Sequence, residues 1–181
     1  MKEKKKKMDR LQERIDYQFE EVSLLRSALT HASSARLAHH SYERLEFLGD
    51  AVAGLVIADE LYGREENYSE GEMTEMKAQT VNSESMARAG ERLGLGELIS
   101  VDRGLAAQKR IPSSLVSDAY EALVGAIYMD AGFGAAHRFV LRTLQPELQE
   151  AEREEELRNY KSALQELLQG EGRELPRYET V

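Results

Sequence analysis

The sequence predicts an all-α fold, on three observations. Apolar residues recur at three- and four-residue steps along most of the 181-residue chain. Only three prolines interrupt it. Its most apolar stretch, Ser114 to Met129, is apolar almost all round, as a buried helix is. The length suits one sizeable core plus a small appendage. No run approaches the ~20 apolar residues that cross a bilayer, so no membrane association is expected.

The elements follow in order. Met8 to Ile15 reads as a short amphipathic helix with Leu11 and Ile15 inward, after a basic tail over 1–8 that is expected to be disordered. Glu21 to His31 is a second helix, using Val22, Leu25 and Leu29. Residues 32–41 read as a loop with His39 and His40 in solvent. Tyr42 to Tyr62 is a long helix stopped by Gly63. Ser69 and Glu72 form a capping-box pattern for a helix that carries Met73, Met76 and Val81. Asn82 or Ser83 caps a further helix that ends at Gly94. Residues 95–113 are loop-rich. The Ser114 helix ends near Gly132, a C′ glycine. Ala135 to Leu144 is another helix, stopped at Pro146, and the highly charged Glu147 to Leu157 that follows is compatible with helix before it becomes linker.

Acidic side chains stand out against this frame. Glu43, Glu46 and Asp50 lie at i, i+3 and i+7, on one face of the long helix. Asp118 and Glu121 lie i, i+3 on the narrow polar stripe of the Ser114 helix, flanked by Ala, Leu and Val. Buried carboxylates must be paired, protonated or bound to metal. Three readings are open from the residues alone: solvated faces, salt bridges to Arg44 or Lys77, and a cation site. Carboxylates converging at ~4 Å repel by roughly 4 kcal/mol per pair at an effective dielectric of 20, which one lysine does not offset and a divalent cation does. The ligands on offer are hard oxygens, because the chain has no cysteine and its four histidines do not repeat at ligand spacing. Such a set suits Mg²⁺ or Mn²⁺ and points to metal-assisted phosphoryl transfer with water as nucleophile.

These blocks also carry a resemblance. Glu43-Arg44-Leu45-Glu46-Phe47-Leu48-Gly49-Asp50 resembles the signature of the ribonuclease III family, and Ser117 to Tyr128 resembles its second acidic block. Ala28 to Ser33 is similar to the family's helix end before the signature, and Lys77 to Leu95 to the segment between the blocks. The likeness covers roughly residues 10 to 148. It implies a helical, homodimeric endonuclease domain that hydrolyses both strands of double-stranded RNA with Mg²⁺-activated water, leaving 5′-phosphate and 3′-hydroxyl ends. Processing of rRNA, mRNA and tRNA precursors goes with it. Position by position, it implies Glu46, Asp50, Asp118 and Glu121 as metal ligands, with Asp50 and Glu121 at the centre of catalysis and Mn²⁺ as a substitute ion. It implies a supporting role for Glu43 nearer the subunit interface. It has Phe47 insert into the partner subunit, where the plainer reading is core packing. Gly49, Gly54 and Gly125 would permit close helix approach. The chain departs from the pattern at Tyr42, where many members have Asn, at Lys77, often Arg, and in the loop Ala106 to Pro112, which lacks a Gly-rich run ahead of Lys109 and Arg110.

The tail from Asn159 to Gly170 resembles the first helix of a double-stranded-RNA-binding domain, and Leu175 to Val181 the start of its first strand. The expected division is therefore a basic tail over 1–8, the endonuclease domain over 9–148, an acidic linker over 149–158 and a partial RNA-binding domain over 159–181. Gln165 and Glu166 match positions near that domain's RNA face. The formal net charge of −9 runs against nucleic-acid binding. Bound cations would neutralise the acidic site, and the second acidic cluster, Glu147 to Glu156, falls largely in the expected linker. Absence of cysteine, and of an apolar segment after the N-terminal lysines, leads us to expect a cytoplasmic protein. Three alternatives stay open: a module that holds duplex RNA without cutting it, an oxygen-activating di-metal bundle, and a purely structural helical dimer. The bundle is disfavoured because no Glu-x-x-His pair occurs.

Overall fold

The longest helix organises everything else. In the computed structural model, which describes residues 2–35, 41–64, 68–107 and 110–170, helix α7 (Ser113–Gly170) is the element on which most others pack. Its stretch from Val116 to Ile127 is buried at Ala119, Tyr120 and Ala122 through Ile127, as an all-round apolar helix must be. Around it lie α1 (Lys2–Arg14), α2 (Val22–Ala28), α3 (Glu43–Tyr62), α4 (Glu70–Thr80), α5 (Ser83–Arg92) and the short α6 (Arg103–Ala106). No strand occurs among the described residues; an isolated parallel bridge joins Thr30 to Ser100. Among them no helix is long and apolar enough to cross a membrane.

Most helix limits obey the local signals. Ser69 accepts from the Glu72 amide at 3.3 Å while the Glu72 carboxylate accepts from the Ser69 amide at 2.6 Å, so the capping box is complete. Asn82 caps α5 by accepting from the Ser85 amide at 2.9 Å. Helix α3 spans the predicted length, with Tyr42 at its N-cap and Gly63 at its C-cap. Met76 is fully buried, so the methionine stripe is core. His39, His40, Lys109 and Leu175 to Val181 lie outside the described residues.

Three expectations are corrected. The basic run Lys4–Lys7 is not a disordered tail: it forms the first turns of α1, which continues into the buried Met8 and Leu11. Gly54 is not a close-approach glycine within the chain, because among the described residues a Cβ there would meet nothing within 4 Å. The chain also does not leave the helix at Pro146. Gly132 breaks the geometry (φ 75°, ψ −174°), but the helix resumes and runs through Pro146 to Gly170. An internal proline costs about 3 kcal/mol, and docking beyond it offsets that cost. Leu148 and Ala151 are buried, and Glu147, only 5% exposed, accepts from Arg92 at 2.7 and 2.8 Å and from Arg88 at 3.3 Å. The acidic segment 149–158 is accordingly helical. It lies along α4, where Arg158 pairs with Glu75 and Asn159 donates to Glu72 at 2.8 Å.

Candidate active site

The site begins with a helix crossing that leaves no room for side chains. A Cβ on Gly49 of α3 would press into the Glu121 carbonyl oxygen of α7 and stand 2.9 Å from the Gly125 nitrogen. A Cβ on Gly125 would in turn press into the Leu45 carbonyl oxygen. Only glycines allow these backbones to touch. The crossing falls between Glu46 and Asp50 on one helix and beside Glu121 on the other, so it sets the acidic blocks face to face.

Their mutual influence is electrostatic and direct. Burial pushes the Glu121 carboxyl up to about 7, and the negative charges of Asp50, Glu46 and Asp118 add to the rise. Burial also raises Glu46, helped by Asp118 and Glu43. Four carboxylates from segments far apart in sequence therefore share one field. Among the described residues none of the four is ion-paired to a Lys, Arg or His, and neither Arg44 nor Lys77 reaches them. The salt-bridge reading fails on that point. Among the same residues no three acidic or histidine side chains stand close enough together to hold a metal ion as placed. The donor set itself fits a hard divalent cation: all oxygen, strongly anionic and, among the described residues, without a competing basic side chain.

A neutral donor holds one of these carboxylates. The Tyr42 hydroxyl donates to Asp118 Oδ2 at 3.0 Å across 76 positions of sequence. Burial, then the charge of Asp118 and this hydrogen bond, raise the Tyr42 hydroxyl well above its ordinary value, so it stays protonated. Sequence reasoning noted Tyr42 only as a departure from a family pattern and missed this contact, which no local spacing encodes.

The remaining candidates separate. Glu43 sits exposed at the rim, accepting from the Ser41 hydroxyl at 2.9 Å. Phe47 is 82% exposed, which rules out core packing for its ring. Gln165 and Glu166 are exposed on the terminal turns of α7. Arg110 is exposed.

Comparison with known proteins places the chain in a family. A family model described as ribonuclease-III-like matches residues 21–148, well over half of the chain. The chain is 46% identical over 170 residues to ribonuclease 3 of Symbiobacterium thermophilum, covering 92% of this chain and 72% of that protein. It is 39% identical over 175 residues to ribonuclease 3 of Rhodopirellula baltica, covering 97% and 66%. The nuclease domain of ribonuclease III from Campylobacter jejuni superposes with a TM-score of 0.71 at 36% identity, over 76% of this chain and 95% of that one. Dicer from Giardia intestinalis shares the fold at a TM-score of 0.62 and 23% identity. The matched segment contains both acidic blocks and the glycine crossing between them, and the chain belongs to the ribonuclease III family of endoribonucleases.

Proposed function

We propose that this chain is a Mg²⁺-dependent endoribonuclease that cuts both strands of double-stranded RNA. The observation that supports this reading is electrostatic: Glu46, Asp50 and Asp118 all act on Glu121 across the α3–α7 crossing, and among the described residues none of the four is ion-paired to a basic side chain. These four residues would hold Mg²⁺, with Mn²⁺ as substitute. When bound, the ion supplies Lewis acidity toward a phosphoryl oxygen and makes water a competent nucleophile near neutral pH. The carboxylates bind and orient. Glu121, whose carboxyl is pushed up to about 7, would be needed in its ionised form to hold the ion, and the glycine crossing fixes the separation of the two acidic helices. Hydrolysis would leave 5′-phosphate and 3′-hydroxyl ends. The protein would read A-form shape, 2′-hydroxyls and backbone rather than base edges. Structured rRNA, mRNA and tRNA precursors are the substrates of this reading.

Cutting both strands calls for two sites, hence a homodimer. Phe47 and Tyr62, each 82% exposed, and Leu55, 57% exposed, recur along the outer face of α3. An apolar face of this kind is an association surface. The Campylobacter jejuni nuclease domain has a region involved in dimer formation. The division into a nuclease domain over 9–148, a connecting segment over 149–158 and the start of an RNA-binding domain over 159–181, with Gln165 and Glu166 toward RNA, belongs to the same reading. So does a cytoplasmic location.

The test is a long, perfect RNA duplex incubated with and without Mg²⁺, using wild type, Asp50→Asn and Glu121→Gln. Mg²⁺-dependent cleavage to 5′-phosphate ends, lost in both variants, is the expected result. Wild-type-like cleavage by either variant would refute the site, and a gel shift without cleavage would favour a holding module.

A further inference from the structure

We propose that Tyr42 is a positioning residue that holds Asp118 in the orientation needed to ligate the cation. The proposal rests on the metal-site reading above and adds a residue to it.

The position is unusual for its residue type. Tyr42 is the N-cap of α3, where Ser, Thr, Asp or Asn normally accepts from a first-turn amide and contributes about 1 kcal/mol. Tyr42 makes no such cap bond. Its side chain turns away and reaches the other acidic helix, ending 3.0 Å from Asp118 Oδ2. The ring is fixed on the way. The residue is only 2% exposed, and the ring packs edge-on to His31 with centroids 5.5 Å apart and planes at 69°. The backbone is held as well: the Tyr42 amide donates to the Thr30 carbonyl at 2.9 Å, and its carbonyl accepts from the Glu46 amide at 2.8 Å. The hydroxyl therefore has little freedom, and it binds one oxygen of Asp118 while leaving the other for a cation.

The chemistry of the donor matters. An Arg or Lys at this point would hold Asp118 but cancel its charge. A phenol donates a hydrogen bond to a carboxylate and leaves the negative charge in place. Asp118 is only partly buried, and among the described residues no other side chain hydrogen-bonds or ion-pairs with its carboxylate. Tyr42 thus restricts a ligand without competing for the metal. Less side-chain freedom is lost when the ion binds, and affinity rises by that saving.

The experiment is Mn²⁺ titration calorimetry on the full chain, free of RNA, for wild type, Tyr42→Phe, Asp118→Asn and the double variant, with thermal melting of each. Phenylalanine keeps the ring and deletes only the hydroxyl. The expected result is Mn²⁺ binding weakened by about two- to tenfold in Tyr42→Phe, the scale of the freedom of one immobilised side chain. No further loss is expected when Tyr42→Phe is added to Asp118→Asn, because the two act through one contact. Weaker binding in Asp118→Asn with Tyr42→Phe unchanged would overturn the role of Tyr42 and leave the metal site standing. Unchanged binding in Asp118→Asn would overturn the metal site and the proposal with it. An equal loss from Tyr42→Phe in both backgrounds, with a lowered melting temperature, would show a merely structural tyrosine and also overturn it.

Discussion

The backbone of Gly49 rests against the carbonyl of Glu121, and Gly125 rests reciprocally against Leu45. The contact couples the geometry of the candidate site to the packing of the two central helices. Gly49→Ala or Gly125→Ala must part those helices, and each is expected to cost about 3 kcal/mol or more, as backbone overpacking does. Gly71→Ala is the control: its Cβ would meet only Ser69 Oγ, at 3.9 Å, and should be neutral or stabilising by up to about 1 kcal/mol. Urea unfolding of the three variants checks both statements.

Glu121 makes the metal-free protein pH-sensitive. Its carboxyl, pushed up to about 7 by burial and then by Asp50, Glu46 and Asp118, binds a proton more tightly in the fold than in the unfolded chain. The unfolded group is ionised above about pH 4.5. Between there and pH 7 the folded protein carries the extra proton, so stability falls as pH rises through this window. The loss attributable to this group is at most about 3 kcal/mol, and less after solvent screening. Glu121→Gln should flatten the slope. It should leave metal-free protein more stable than wild type at pH 8 while abolishing cleavage. Melting curves from pH 5 to 8 in chelator check this, and a parallel slope in the variant would refute it.

The arm beyond Pro146 is held by a buried charge. Burial alone would raise Glu147, yet hydrogen bonds and charge from Arg92, with Arg88, hold its carboxyl below the ordinary range. Glu147→Gln removes the carboxylate charge that pairs with Arg88 and Arg92 and is expected to cost about 1–3 kcal/mol. The effect should be local, with faster proteolysis after residue 146 and little change in the α3–α7 crossing. Stability from the wild-type pair is present above the unfolded carboxyl value and lost as pH falls through the lower, folded one.

Gly132 makes a separate prediction. Its φ of 75° with ψ of −174° suits glycine alone, although a Cβ would meet nothing within 4 Å. Gly132→Ala should therefore destabilise by about 1–3 kcal/mol through backbone strain without any clash. Replacement that proves harmless in a thermal melt would contradict the assigned conformation.

Much of the site was legible because its chemistry is written locally. The i, i+3, i+7 carboxylates of α3 and the Asp118–Glu121 pair follow from helical spacing, and Ser69 and Glu72 form the box their spacing predicts. What was hidden depends on contacts between distant segments. Nothing near Pro146 announces that Glu147 meets Arg88 and Arg92, so the helix was expected to stop there. Lys4–Lys7 read as a tail because charge argues for solvent, yet the apolar Met8 and Leu11 anchor the helix they continue. Tyr42 and Asp118 meet only because the glycine crossing lays one helix over the other.

The central claim is that Glu46, Asp50, Asp118 and Glu121 form one cation site. The most direct measurement is an anomalous difference map from a crystal of this protein soaked in Mn²⁺. A peak bounded by oxygens of these four side chains, with Asp118 still accepting from Tyr42, is the predicted result. Carboxylates that turn away from one another, with Mn²⁺ absent from the α3–α7 crossing, would contradict it.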